Sequence, residues 1–281
     1  MIEAVASLGG IGLLAALALG AAAKKFAVAV DPREAAILEV LSGANCGACG
    51  YPGCSAYAKA VASGEAPPTL CSPGGAAALE KLAHIMGVEA ATIEPQVAAV
   101  LCQGDSVKAA AKYRYLGIHD CVAAQKIADG PKACPAGCLG LGTCARVCPF
   151  DAIEITPLGL AVIDRERCTG CKKCVGACPR QVIVMTPATE SVQVLCNSHD
   201  KGAQVRKYCQ IGCIGCRICQ KTAPEAYVVE NELARVVCGH DGEAAMAVGK
   251  CPTKCIRDFT TGYPEGSALT PAMVPTKRPA A

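Results

Sequence analysis

Tryptophan is absent from this 281-residue sequence, phenylalanine occurs three times and tyrosine seven times. A chain so poor in large side chains cannot fill one big core. It reads instead as several small domains held partly by something other than apolar packing. Charge of one sign is also scarce: the formal net charge is +3, and no run of Lys or Arg exceeds two residues. That excludes recognition of nucleic acid through a basic stripe. His84, His119, His199 and His240 are too scattered to stand in ligand spacing with one another. No Walker loop occurs and no G-x-G-x-x-G follows a strand pattern, so the chain carries no nucleotide, flavin or hydride site of its own. Nor is there a nucleophile–base set for covalent catalysis.

What the chain has in abundance is cysteine, 22 residues in all. Such density signals a disulfide scaffold in an oxidising compartment or metal centres in a reducing one. The N-terminal segment decides between them. Residues 4–23 hold no charge, are long enough to cross a bilayer as a helix, and are followed at once by Lys24 and Lys25. A cleaved signal peptide carries its positive charges before the apolar run, not after it. By the positive-inside rule the two lysines stay cytoplasmic, and everything C-terminal stays with them. Thiols there remain reduced, which favours metal. Gly12, Ala16 and Gly20 form a small-residue stripe suited to a second membrane helix, although small residues are common in such helices anyway.

After the anchor, residues 31–41 read as a short amphipathic helix and 43–54 as a glycine-rich cysteine loop. Residues 55–63 read as helical, 76–100 as helical up to a boundary at Pro95, and the Pro-rich stretch 260–281 as disordered. The body between repeats itself: KACPAGCLGLGTCARVCP at 132–149 aligns without a gap on KYCQIGCIGCRICQKTAP at 207–224. Val100-Leu101-Cys102 and Val194-Leu195-Cys196 precede the two copies. DAIEI and GLAVID read as the arms of a β-hairpin.

Cys168-x2-Cys171-x2-Cys174-x3-Cys178-Pro179 is the bacterial ferredoxin spacing. A cysteine at every third position aims three thiolates at one [4Fe–4S] cubane, while the fourth, displaced by an extra residue, serves the neighbouring cluster. Cys168, Cys171 and Cys174 are therefore expected to share a cluster with Cys148. Zinc is the rival, but it is marked by two separated C-x2-C pairs. In the partner set Leu141 stands where the second cysteine belongs, and leucine cannot ligate iron. Cys134 is the nearest substitute, giving Cys134, Cys138, Cys144 and Cys178, with Cys102 and Cys121 as other candidates for the gap. In the second copy Ala223, Asp241, Ala244 and Ala247 replace the four thiols of one cluster together, while Cys213, Cys216, Cys219 and Cys251 remain for the other. Near the anchor, Cys46-x2-Cys49-x4-Cys54-x16-Cys71 supplies four more thiols among glycines whose freed backbone N–H groups suit cluster sulfides. Cys102, Cys121, Cys196, Cys209, Cys238 and Cys255 are left over as buried small hydrophobes or, since Cys102/Cys196 and Cys134/Cys209 recur at matched positions, as further ligands.

The loop NCGACGYPGCSAYA, the anchor before it and the ferredoxin modules after it resemble the B subunit of the Rnf complex, a membrane-bound ferredoxin:NAD oxidoreductase that couples electron flow to sodium or proton translocation. The resemblance implies about four [4Fe–4S] clusters, one of them on the 46–71 cysteines. It also implies integral membrane partners in one complex at the bacterial inner membrane, and soluble reduced ferredoxin as electron donor. The expected fold is α+β: a transmembrane helix over 1–25, a four-cysteine domain over 30–95, a two-cluster ferredoxin-like (βαβ)2 module over 100–190, a degenerate one-cluster module over 191–259, and the tail. Residues 101–259 hold 20 Lys and Arg against 15 Asp and Glu. Arg165, Arg167, Lys172, Lys173 and Arg180 beside the regular motif are candidates for steering an acidic ferredoxin, or else a solvated face. The other readings are an electron-input component of a quinone-linked membrane dehydrogenase and a cluster-assembly scaffold.

Overall fold

The computed structural model describes residues 2–25, 31–89, 94–264, 267 and 269. Helix α1 spans Ile2–Lys25. Its leucines at 13, 14, 17 and 19 are all more than half exposed, an apolar surface left open among the described residues. Among the described residues no helix is long and apolar enough to cross a membrane. The side chains of α1 at 2–8, 11, 23 and 24 lie outside the described residues.

The next unit is helical. Helix α2 (Pro32–Val40) starts as its sequence dictates, with Asp31 accepting from Arg33 N–H at 2.9 Å and a proline in the first turn. Helix α3 (Cys54–Ala62) packs on α2, and α4 (Gly75–Met86) closes the unit, ending on Gly87 in the left-handed region. The core is small: Ile37, Tyr57, Val61 and Leu82 are its fully buried large side chains. Helix thus ends at 86, short of the expected Pro95 boundary, and strand β1 (Gln96–Val100) begins directly after that proline.

Two modules of the same design follow. In the first, β1 is followed by α5 (Cys121–Gln125), α6 (Thr143–Arg146), β2 (Ile153–Ile155), β3 (Ala161–Ile163), α7 (Lys173–Ala177) and β4 (Ile183–Pro187). Strands β2 and β3 form the hairpin expected of DAIEI and GLAVID, and β1 pairs antiparallel with β4, Val100 opposite Ile183. In the second, β5 (Val192–Val194), α8 (Gly202–Tyr208), α9 (Ile218–Thr222), β6 (Tyr227–Glu230), β7 (Leu233–Val236), α10 (Asp241–Ala245) and β8 (Ile256–Asp258) repeat the order. Here β5 pairs with β8 and β6 with β7. The repeat extends to single bonds. Leu101 N–H donates to Val182 O at 2.7 Å, and its counterpart Leu195 donates to Cys255 O at 2.8 Å.

The modules are tied through a loop found only in the first. Ala110 N–H donates to Tyr208 O (2.8 Å) and Gln210 N–H to Lys108 O (2.9 Å), so the 108–110 stretch pairs with the end of α8. Gln103, 2% exposed, accepts from Arg257 (3.0 Å) and donates to Lys254 O (3.2 Å). The start of the expected disordered tail packs instead: Tyr263 is buried against Phe259 and accepts from Arg165 N–H at 3.2 Å. Of the rest, 265, 266, 268 and 270–281 lie outside the described residues.

Candidate metal centres

Among the described residues no disulfide joins any of the cysteines. Nor do any three described His, Cys, Asp or Glu side chains close on a point tightly enough to hold a single metal ion. The thiols line pockets in groups of four instead. A cubane, unlike a lone zinc ion, needs such a space between its ligands.

Cys46, Cys49, Cys54 and Cys71 face one cavity. Asn45, in the left-handed region at φ 46°, turns the loop and accepts from Cys54 N–H at 2.8 Å. The buried Tyr57 donates to Pro67 O (2.7 Å) and accepts from Leu70 N–H (3.1 Å), which fixes the turn that delivers Cys71. Burial pushes the Cys71 thiol up.

Cys148, Cys168, Cys171 and Cys174 face a second cavity, the set expected from the ferredoxin spacing. Cys168 Sγ accepts from Ala98 N–H of β1 at 3.3 Å. Burial pushes the Cys171 thiol up, and Cys46 of the helical unit, with Cys148 and Cys168, adds to the rise. The first two cavities are therefore neighbours.

The third cavity departs from expectation. Cys138, Cys144 and Cys178 face it, but the fourth thiol is Cys121 and not Cys134. Burial pushes Cys144 to about 12, with Cys138, Cys121, Cys178 and Cys174 adding to it. A polar clasp holds Cys121 there: its N–H donates to Thr143 Oγ1 (2.7 Å), whose hydroxyl donates to Asp120 (2.9 Å), and Arg146 completes the clasp on Asp120 at 2.7 Å. Asp120 also caps α5 through Ala123 N–H. The loop around Leu141 keeps the motif's shape. Gly140, Gly170 and Gly215 occupy the same place in three cysteine loops, at φ 71°, 73° and 64°. At each, a Cβ would stand within 3.0 Å of a neighbouring backbone or side-chain oxygen, and at Gly140 it would sit 2.0 Å from Gly159 O. Cys134 lies elsewhere, on a cavity between the modules, because Arg180, buried at the edge of the third cavity, bonds the Cys134 and Pro135 carbonyls and turns that strand of chain away.

In the second module Cys213, Cys216, Cys219 and Cys251 face one cavity, and Cys255 lines it too, its Sγ 3.6 Å from that of Cys251. Hydrogen bonds from Cys255 hold Cys251 down at about 5 and Cys213 at about 6, and facing those two raises Cys255 itself. Cys255 occupies the place of Val182 in the first module, as the Leu101 and Leu195 bonds establish, so it substitutes for a core side chain. The four replaced positions lie in ordinary packing. Ala223, Ala244 and Ala247 are buried, and Tyr227, 1% exposed, donates to Ala244 O at 2.8 Å. Asp241 takes over the bond of its counterpart Cys168, accepting from Val192 N–H (2.8 Å) and Ser191 N–H (2.9 Å). Cys238 is exposed and faces none of these cavities.

The basic patch is smaller than its sequence suggests. Arg167, Lys172 and Lys173 are exposed, but Arg165 and Arg180 are buried. Arg165 donates to Glu190 O at 2.6 Å and lies over the Phe259 ring at 5.1 Å, so its charge serves the interior.

Three family models match the chain: one described as a putative Fe-S cluster over residues 41–73, one as a 4Fe-4S binding domain over 160–183, and one as the 4Fe-4S single cluster domain of ferredoxin I over 210–258. The third describes one cluster where the second module keeps one of its two sets of four cysteines. The B subunit of the proton-translocating ferredoxin:NAD(+) oxidoreductase complex of Clostridium ljungdahlii is 48% identical over 257 residues, 90% of each chain. The B subunit of the Na(+)-translocating complex of Acetobacterium woodii is 42% identical over 90% of this chain and 76% of its own length. The B subunit of the ion-translocating oxidoreductase complex of Methanosarcina acetivorans is 36% identical over 91% of this chain and 96% of its own.

Proposed function

The chain belongs to the family of B subunits of ion-translocating ferredoxin:NAD(+) oxidoreductase complexes, and we propose that it serves there as a row of [4Fe–4S] sites leading inward from reduced ferredoxin. It is an electron-input iron–sulfur subunit of a membrane-bound complex. The proposal concerns which residues do the work. Cys46, Cys49, Cys54 and Cys71 hold one cluster; Cys148, Cys168, Cys171 and Cys174 a second; Cys121, Cys138, Cys144 and Cys178 a third; Cys213, Cys216, Cys219 and Cys251 a fourth. When bound, such clusters supply one-electron chemistry at potentials set by hydrogen bonds and burial. The chain supplies the thiols, the glycine turns that let backbone approach them, and a dry surround.

The observation that carries this reading is the repeated grouping of four thiols around one pocket, including a set that spacing alone does not assemble, that of Cys121. The exposed leucines of α1 support a further part of it: residues 4–23 anchor the chain in the bilayer beside integral membrane partners, with the cysteine domains on the cytoplasmic face. The donor docks near the exposed Arg167, Lys172 and Lys173.

Iron and sulfide analysis with EPR of the anaerobically purified chain tests the cluster assignment. Reduction by ferredoxin should develop [4Fe–4S]1+ signals from several sites, and redox-silent metal would refute it. Ferredoxin-dependent reduction followed against ionic strength tests the docking face, where a rate indifferent to salt would remove it.

A further inference from the structure

The structure assigns a fifth [4Fe–4S] site to Cys102, Cys134, Cys196 and Cys209, held in the seam between the two ferredoxin-like modules. These four thiols line one pocket, as each of the other four sets does. Two come from each module and at matched places: Cys102 and Cys196 follow β1 and β5, and Cys134 and Cys209 each stand four residues before the first cysteine of their loops. The site therefore draws the same two positions from each copy of the repeat. Neither module can complete it alone.

Three glycines border the thiols. A Cβ on Gly104 would meet Cys209 Sγ at 3.6 Å and Cys102 Sγ at 3.7 Å, which places those two sulfurs of different modules within about 7.3 Å of one another. A Cβ on Gly137 would stand 3.5 Å from Cys134 Sγ, and one on Gly212 would stand 3.6 Å from Cys209 Sγ. A core of the ordinary kind fills such gaps with methyl groups rather than leaving thiols around a void.

The charges also fit an anionic centre. Lys132, 8% exposed, spends its ammonium on the Gly104 and Cys138 carbonyls, and Arg235 bonds Cys196 O (2.9 Å) and Asn197 Oδ1 (2.8 Å). These cations bond neutral oxygens, so their charge is available to thiolates.

Its position gives the site a role. Cys138 N–H donates to Cys102 Sγ at 3.4 Å, and the Cys213 backbone lies beside Cys196. Cys138 and Cys213 each belong to an adjoining set, one per module. The seam site is thus one hydrogen bond from the third cavity on one side and adjoins the second-module cavity on the other.

The inference rests on the proposed filling of the other four cavities, and its test separates the two. The full-length chain, purified anaerobically, is measured for iron, sulfide and zinc, and the intact holoprotein is weighed by native mass spectrometry. Five clusters are expected, about twenty irons per chain. Cys102→Ser and Cys209→Ser, one from each module, should each lose about a fifth of the iron and sulfide, whereas Cys238→Ser loses none. A wild-type mass with four clusters, iron unchanged in both serine variants, or one zinc lost in place of iron overturns the seam site and leaves the other four standing. A wild-type protein without clusters overturns the broader reading instead. Should the serine variants shed all their iron, the wild-type cluster count alone decides.

Discussion

Asp241→Ala should loosen one edge of the second module without touching a thiol. Asp241 accepts from Ser191 N–H, Val192 N–H and the Ser191 hydroxyl (2.5 Å), and Ser191 and Val192 are 4% and 0% exposed. Alanine leaves two buried N–H donors and a hydroxyl without their acceptor. At about 1–2 kcal/mol for each stranded donor, the loss comes to about 4 kcal/mol. Asp241→Asn keeps the Oδ1 that serves both N–H groups and gives up the charge, so about 1 kcal/mol is expected. The loss falls on the β5–β8 pair. Native-state hydrogen exchange of the holoprotein, read on peptides covering 191–195 and 255–259, reports local opening there. At about 1.4 kcal/mol per tenfold, Asp241→Ala should speed exchange about a thousandfold and Asp241→Asn about fivefold. Exchange within about threefold of wild type in the alanine variant would refute the view that the carboxylate replaced a cluster ligand's structural bond.

Gly140→Ala should give protein without the third cluster, since its Cβ would fall 2.0 Å from Gly159 O; Gly43→Ala, with nothing within 4 Å and a φ of 66°, should cost only about 1 kcal/mol by thermal melting. Cys121→Ser should remove about four irons per chain from the first module, and a variant that keeps its full iron content would return the ligand to Cys134. Tyr57→Phe strands Leu70 N–H and Pro67 O, a cost of about 1–3 kcal/mol, and should speed chelator-driven loss of the 46–71 iron while sparing the ferredoxin-module sites.

Much of this architecture was legible because iron ligation leaves strict spacing in the sequence. The regular run at 168–178, the correlated losses in the second copy and the hairpin between the runs all follow from local geometry. Cys121 ranked behind Cys134 among the candidates for the gap, because its place on the third cavity depends on a fold-back that no spacing encodes. A signal was present nonetheless. The stretch between Cys102 and Cys134 is 19 residues longer than that between Cys196 and Cys209, and this insertion brings one cysteine to the copy that lacks one at Leu141. Arg165 and Arg180 misled for a related reason: a basic residue beside a motif looks solvated until the carbonyls it must bond are known. The tail misled by composition, since one aromatic, Tyr263, suffices to hold its first residues on the first module.

The geometry also gives a reason why the second module kept the set it kept. Cys46 lies near enough to Cys171, and Cys174 to Cys144, to raise the thiol it faces; Cys138 donates to Cys102, and the Cys213 backbone lies beside Cys196. With clusters in the cavities, this order of neighbours runs as a single row from the helical unit to the second module. The first module lies in the middle of that row, so both of its sets are needed, one facing Cys46 and one facing the seam. The second module lies at the end. Of its two sets, the one retained includes Cys213, which touches the seam, and the one replaced by Ala223, Asp241, Ala244 and Ala247 is not among these contacts. A cluster there would have extended the row beyond its last junction, at the cost of four thiols that must stay reduced. Replacing it with Tyr227, three alanines and the Asp241 bonds trades a metal centre for ordinary packing and leaves the row unbroken. On this account, rebuilding the set with Ala223→Cys, Asp241→Cys, Ala244→Cys and Ala247→Cys should bring no additional iron, because Tyr227 lies against the space a cubane would need. Four additional irons per chain would show that the packing had not closed it.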